Sequence, residues 1–181
     1  MIKLRFILLI AFFLILQSIN ANAFPDGWEN DSRVTNAAGI SAWPQIFIDS
    51  QENVGIVWED SRESTTALYY KKLTHAGAVV INDTLLVNTS GAAVDHEVAI
   101  DSANNLHVVW EDTRDGNFEL YYAKFNISGS MLINATRLTF NSSFSGFSGV
   151  PDIAADKQGN LHVVWSDDRV GSNRLFYRKL D

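Results

Sequence analysis

The chain has 181 residues, with 21 acidic against 14 basic side chains and a net charge of −7 at neutral pH. This acidic balance argues against a general binder of nucleic acid or of anionic membranes. The absence of cysteine excludes disulfides and thiolate chemistry, so an apolar core has to hold the fold together.

The N-terminus has the pattern of a secretory signal peptide. Two basic residues precede an apolar run at residues 6–16, and a small-x-small site ends at Ala23. The run is shorter than the about 20 residues of a spanning helix, which favours cleavage over a retained anchor. We therefore expect residues 1–23 to be removed. The mature chain should then be secreted or extracytoplasmic, with no membrane association.

Three copies of one repeat, each of roughly fifty residues, are predicted in the rest of the chain. In each copy a segment ending in tryptophan lies between two other short segments rich in β-branched and aromatic residues. Turn-forming residues separate the segments, so each copy is predicted to form strands A, B and C of one sheet. The three strand-B segments are residues 54–58, 106–110 and 161–165.

A fourth strand, D, is predicted at residues 83–87 and 135–139. The third copy lacks this segment, but residues 32–36 resemble it. The predicted fold is all-β: a β-propeller of four-stranded antiparallel blades, with three blades in this chain. The blades are placed at about residues 44–88, 96–140 and 151–181. The N-terminal strand D, at about residues 32–36, completes the last blade.

The expected number of blades raises the question of how the ring closes. Closed propellers have about four to eight blades, and an open sheet edge invites aggregation. We expect either a homodimer that closes one six-bladed ring, each N-terminal strand completing the partner's last blade, or a chain that is a fragment of a longer propeller. The mass in solution distinguishes the two.

The repeat resembles the sialidase-like (Asp-box, or BNR) propeller superfamily. The resemblance is carried by Asp-x-x-Gly-Asn-Leu-His-Val-Val-Trp-x-Asp-x-Arg at residues 156–169, with relatives at 101–114 and 49–62. In that superfamily an Asp-box lies between strands C and D. The corresponding turns, residues 74–80 and 126–132, keep the glycine but lack the aspartate and tryptophan, so Asp-boxes are absent or degenerate. The arginine triad, Tyr–Glu pair and acid/base aspartate of sialidases cannot be assigned to residues here.

A Trp-x-Asp-x-Arg motif ends each strand B. Alternation places its three side chains on one face of the extended segment. One interpretation is a packed tryptophan with an Asp–Arg pair that pins the following turn; the other is a ring of arginines around an anion. Recurrence in every copy favours the structural interpretation. The motif consists of Trp58, Asp60, Arg62, Trp110, Asp112, Arg114, Trp165, Asp167 and Arg169.

Two histidines are weak candidates for a metal site. His107 and His162 occupy the same strand-B position, where the first copy has Gly55. Since a metal ligand would not be replaced by glycine, packed and hydrogen-bonded histidines are favoured. The acidic turn at residues 112–117 lacks the carboxylate spacing of an EF-hand. We therefore predict no metal and no cofactor.

Positions at which the copies differ are the candidates for a unique ligand site. In propellers the D–A and B–C loops share one face, where ligands usually bind. Titratable groups precede the second strand A, and aromatic side chains of a kind that stacks on sugar rings precede the first and third. Ordinary loop variation is the alternative interpretation. The candidates are Trp43, Asp95, His96, Glu97, Phe144 and Phe147.

The sequence thus predicts an extracytoplasmic binding or interaction module for glycans or proteins. The alternative is a glycoside hydrolase of sialidase type, active only with further blades or a partner chain. A purely structural surface-assembly unit is the third hypothesis. A catalytic role is less expected than binding, and no catalytic residue is assigned, because a shared scaffold does not determine function.

Overall fold

The computed structural model describes residues 31–140 and 148–181, which contain β-strands and no helix. Within this part of the chain there is accordingly no helix long and apolar enough to cross a membrane. The predicted signal peptide, Phe144 and Phe147 lie outside the described residues. The strands are β1 (Ser41–Ile48), β2 (Val54–Asp60), β3 (Ala67–Leu73), β4 (Val79–Val87), β5 (Ala93–Ile100), β6 (Leu106–Asp112), β7 (Glu119–Phe125), β8 (Met131–Arg137), β9 (Ser148–Ala155), β10 (Leu161–Asp167) and β11 (Arg174–Leu180).

The strands pair in chain order into three antiparallel sheets. Blade 1 is β1–β2–β3–β4, blade 2 is β5–β6–β7–β8, and blade 3 is β9–β10–β11. The registers of blades 1 and 2 correspond pair by pair along their first three strands. This confirms the all-β fold of repeated antiparallel blades. The described residues form an open row of three blades.

Residues 32–36 carry no strand, so the N-terminal strand D predicted there is not formed within this chain. Blade 3 consequently has three strands, and β11 is its outer strand. A strand exists only where a neighbour supplies the ladder of hydrogen bonds, and the pattern of residues alone does not provide that neighbour. Pairing of this segment with a second chain stays a prediction.

The apolar core lies between successive blades. Neighbouring residues of a strand point to opposite sides of the sheet, so each blade has two faces. The forward face of one blade packs on the backward face of the next. The forward faces contain Val57, Leu68 and Tyr70 in blade 1, and Val109, Leu120 and Tyr122 in blade 2. The backward faces contain Val108, Trp110 and Tyr121 in blade 2, and Val163, Trp165 and Phe176 in blade 3.

One slot on the forward face explains why the strand-B histidine is absent from blade 1. In blade 2, His107 stacks on Tyr122, and its Nδ1 lies 2.9 Å from the tyrosine hydroxyl. In blade 1, Phe47 of the neighbouring strand fills this slot and stacks on Tyr70 with 6.1 Å between ring centroids. Gly55 faces Phe47 across the strands, and a Cβ there would lie 2.1 Å from the phenyl ring. An aromatic ring therefore fills the slot in both blades, supplied by different strands.

The Trp-x-Asp-x-Arg motif forms the same hydrogen-bonded unit in every blade. In blade 1, Trp58 Nε1 donates to Asp60 Oδ2 at 2.8 Å, and the Arg62 backbone N–H donates to Asp60 Oδ1 at 3.0 Å. The Arg62 guanidinium pairs with the same carboxylate and lies 4.1 Å from the Tyr69 ring centroid. Burial works to raise the pKa of Asp60, but these donors hold it well below its usual value. The motif thus ties the end of strand B to the following turn.

Candidate ligand-binding site

A β-bulge interrupts strand A of each blade opposite the strand-B tryptophan. Two residues of strand A occupy the place of one: Trp43-Pro44 in β1, Asp95-His96 in β5 and Val150-Pro151 in β9. The first residue of each pair has a positive φ, between 47° and 52°. This backbone conformation is unfavourable for bulky and β-branched side chains, and such strain concentrates at binding and catalytic sites.

A glutamate from the preceding blade secures each of the last two bulges. Glu59 of β2 accepts a hydrogen bond from the Asp95 N–H at 2.7 Å. Glu111 of β6 accepts one from the Val150 N–H at 2.5 Å. Neither glutamate is among the candidate site residues predicted from the sequence. The available signal was that glutamate follows the strand-B tryptophan in two copies, whereas Ser166 follows it in the third.

A cavity of about 310 Å³ lies at these bulges and is lined by residues of all three blades. It brings together four of the predicted site residues, although the structure places them inside β1 and β5 rather than in the loops that precede strand A. Each bulge accommodates one extra residue, so strand A continues past these residues and they belong to the strand and not to the preceding loop. The lining residues are Trp43, Pro44, Gln45, Glu59, Asp95, His96, Glu97, Val150 and Pro151.

The imidazole of His96 is the exceptional group in this cavity. Its side chain is only 1% exposed, and both ring nitrogens lack a hydrogen-bond partner. The nearest carboxylate, that of Glu59, is 3.8 Å from Nδ1, beyond hydrogen-bond distance. A buried polar group without a partner is destabilising, so it points to a bound molecule or water that completes it. In blades 1 and 3 a proline occupies this position.

The cavity is strongly acidic. Glu59, Asp95 and Glu97 line it, and no lysine or arginine does so in the part of the chain that the structure describes. Burial raises the pKa of Glu97, and the nearby Asp152 carboxylate raises it further, while His96 acts in the opposite direction. Gln45 Nε2 donates to Glu97 Oε1 at 2.8 Å. The site therefore offers many acceptors for hydroxyl groups and repels anions.

Glu111, which accepts a hydrogen bond from the cavity residue Val150, is buried and has a raised pKa. Burial is the main cause that raises its pKa to about 7, and the carboxylates of Asp95 and Glu59 add to the effect. The hydrogen bond from the Val150 N–H lowers this pKa in part.

Within residues 31–140 and 148–181, no group of three or more His, Cys, Asp or Glu side chains is arranged to hold a metal ion.

Comparison with known proteins identifies the fold. No protein-family model and no curated protein sequence matches the chain. Similar solved structures include an endo-arabinase from Bacteroides thetaiotaomicron, with 13% identity, a TM-score of 0.57, and coverage of 83% of this chain and 59% of that one. An α-L-arabinofuranosidase from Lactobacillus brevis has 11% identity, a TM-score of 0.54, and coverage of 78% and 53%. Penicillium chrysogenum α-L-arabinanase complexed with arabinobiose has 15% identity, a TM-score of 0.53, and coverage of 80% and 47%.

These similarities show the fold alone: the chain is built from blades of a β-propeller of the kind found in glycosidases. It spans between 47% and 59% of the length of these three structures. The resemblance to sialidase-like repeats is supported as far as the propeller scaffold. The sialidase type itself is not, because the similar structures named above are an endo-arabinase, an α-L-arabinofuranosidase and an α-L-arabinanase.

Proposed function

We propose that the chain binds carbohydrate in the cavity at the strand-A bulges, and that uncharged sugars are its ligands. The observation that carries this proposal is the unpaired imidazole of His96, buried in a cavity otherwise rich in hydrogen-bond acceptors. A sugar hydroxyl both donates and accepts, so it can satisfy the imidazole and a neighbouring carboxylate together. The exposed indole of Trp43 offers an apolar surface for the face of a sugar ring.

The charge of the cavity supports uncharged over acidic sugars. A sialic acid or uronic acid would bring a carboxylate towards Glu59, Asp95 and Glu97. Like charges that approach in a partly buried site repel one another, and the guanidinium fork that binds a carboxylate is missing from the lining described above. The Penicillium chrysogenum structure, which holds arabinobiose, gives arabinose-containing oligosaccharides as the first ligands to test.

Calorimetric titration of the chain with arabinobiose, xylobiose and sialyllactose tests the proposal. We expect the two uncharged disaccharides to include a ligand and sialyllactose not to bind. His96→Ala and Trp43→Ala should each weaken binding by about tenfold or more. Val79→Ala is the matched control, because Val79 is exposed on β4 and does not line the cavity. Tighter binding of sialyllactose, or equal affinities for all variants, would contradict the proposal.

Glycoside hydrolysis is a second candidate, favoured by the raised pKa of Glu97. A glycosidase needs a carboxyl group that donates a proton, and burial beside a second carboxyl group shifts a pKa in the direction that this role requires. Glu97 lines the cavity, and the Asp152 carboxylate contributes to its shift. Release of p-nitrophenol from α-L-arabinofuranosides and β-xylosides, abolished in Glu97→Gln but not in Val79→Ala, would establish this activity. The absence of turnover would leave the binding role.

The site of action is proposed from the N-terminal pattern alone. We propose that the chain acts outside the cytoplasm, where polysaccharides and their fragments are met. N-terminal sequencing of the protein recovered from the periplasm or medium tests this, with a start near Phe24 expected. Retention in the cytoplasm with an intact Met1 would contradict it.

A further inference from the structure

Blade 3 repeats the interface residues of blade 2 on a face that carries no blade. In blade 2, Leu120 and Tyr122 of the forward face are 0% and 7% exposed beneath blade 3. The corresponding residues of blade 3, Leu175 and Tyr177, are 84% and 58% exposed. Val164 matches the buried Val109 and is also exposed. The face has the composition of a blade interface, but no blade formed by residues 31–140 and 148–181 packs against it.

Blade 1 has the complementary face, its backward face, which is exposed only in part: Trp58 and Tyr69 are buried there, whereas the isoleucines of strand A are exposed. Ile46 is 68% exposed, whereas Ile153, at the same position of blade 3, is 6% exposed because it packs on blade 2. Ile48 of the same strand is exposed as well. Isoleucine side chains grouped on one sheet face are typical of a contact surface rather than of a solvated one.

We propose that two copies of this chain associate through these faces, the forward face of blade 3 in each copy packing on the backward face of blade 1 in the other. This contact would continue the packing found between the blades inside the chain. The blade 1–blade 2 and blade 2–blade 3 interfaces join the same two kinds of face, and Leu175, Tyr177 and Val164 are identical in type to their buried counterparts in blade 2.

Two such contacts close a ring of six blades, within the about four to eight of closed propellers. Each contact joins different patches, and the rotation closes after two copies, so both contacts are equivalent by the twofold axis of the pair. This association does not depend on the sugar site. Loss of sugar binding and loss of the dimer are therefore separate outcomes.

Light scattering after size-exclusion chromatography, at about 1 to 50 μM of the chain, tests the proposal. We expect twice the mass of one chain. Leu175→Asp and Ile46→Asp should each raise the dimer dissociation constant by about a hundredfold or more, because each puts an unpaired charge into the contact. Val170→Asp is the matched control, since Val170 is exposed in the turn after β10 and not on the sheet face.

Circular dichroism checks that the variants keep their β-structure. A wild-type monomer at 50 μM would overturn the proposal, and so would a polydisperse assembly. A dimer that Leu175→Asp and Ile46→Asp leave as stable as Val170→Asp does would overturn the assignment of these faces. Dissociation by both face variants, with the control unaffected, would establish it.

Discussion

Glu111→Gln is expected to stabilise the protein in a pH-dependent manner. Glu111 is buried, accepts the Val150 N–H at 2.5 Å, and has a pKa raised by burial from 4.5 to about 7. Between pH 4.5 and about 7 the folded chain therefore holds a proton that the unfolded chain has released. Stability attributable to this group is fully present below pH 4.5 and is lost as the pH rises through about 7.

The size of the effect follows from the shift. Raising a pKa from 4.5 to about 7 corresponds to about 3 kcal/mol of unfolding free energy above pH 7. Glutamine keeps the carbonyl oxygen that accepts the Val150 N–H, but it cannot ionise. Glu111→Gln should therefore match the wild type near pH 4.5 and exceed its stability by about 2–3 kcal/mol near pH 8.

Urea unfolding followed by tryptophan fluorescence at pH 4.5, 6 and 8 measures the difference. Other titrating groups cancel when the two proteins are compared at one pH. Among these is His107, whose pKa burial lowers, so that its contribution to stability is lost as the pH falls below 6.5. Glu52→Gln, at an exposed turn position, is the control and should match the wild type throughout. A difference that does not change with pH, or a less stable Glu111→Gln at pH 8, would refute the reasoning.

Three further predictions concern packing and hydrogen bonding inside the blades, and urea unfolding measures all of them. Gly55→Ala should cost about 3 kcal/mol, because the new Cβ would lie 2.1 Å from the Phe47 ring. The double variant Phe47→Ala/Gly55→His copies the pair found in blade 2 and should be more stable than Phe47→Ala alone; a less stable double variant would contradict the shared slot. Asp112→Ala should cost about 3 kcal/mol, since Trp110 Nε1 and the Arg114 guanidinium lose their acceptor. A loss below about 1 kcal/mol would show that the motif is not structural.

The sequence was sufficient to predict the strands of each blade, because the residue patterns that specify them lie within short segments of the chain. Alternating apolar residues, the turn formers between segments and the recurring Trp58, Trp110 and Trp165 predicted the strands and their antiparallel order, which the structure confirms. Neighbouring strands of one meander are joined by short turns, so each strand meets a partner only a few residues away. The segment at residues 32–36 carries no strand within this chain, and its predicted pairing with a second chain depends on a neighbour that is not local.

Differences between the repeats are also visible in the sequence alone, so they could point to candidate site residues. Breaks in the repeat pointed to Trp43, Asp95, His96 and Glu97, which the structure gathers around one cavity. The bulges that hold them were not visible, because the register of a sheet depends on both strands and not on strand A alone.

Only the tertiary structure decided how one blade meets the next. Three features arise where separate blades converge. They are the hydrogen bond from the Asp95 N–H to Glu59, the buried imidazole of His96 with no hydrogen-bond partner, and the raised pKa of Glu111. The sequence determined which residues each blade can bury, since alternation alone sets the two faces of a strand. It could not determine which carboxylates would be buried together, because that depends on the rotation between sheets and on the water that their packing excludes.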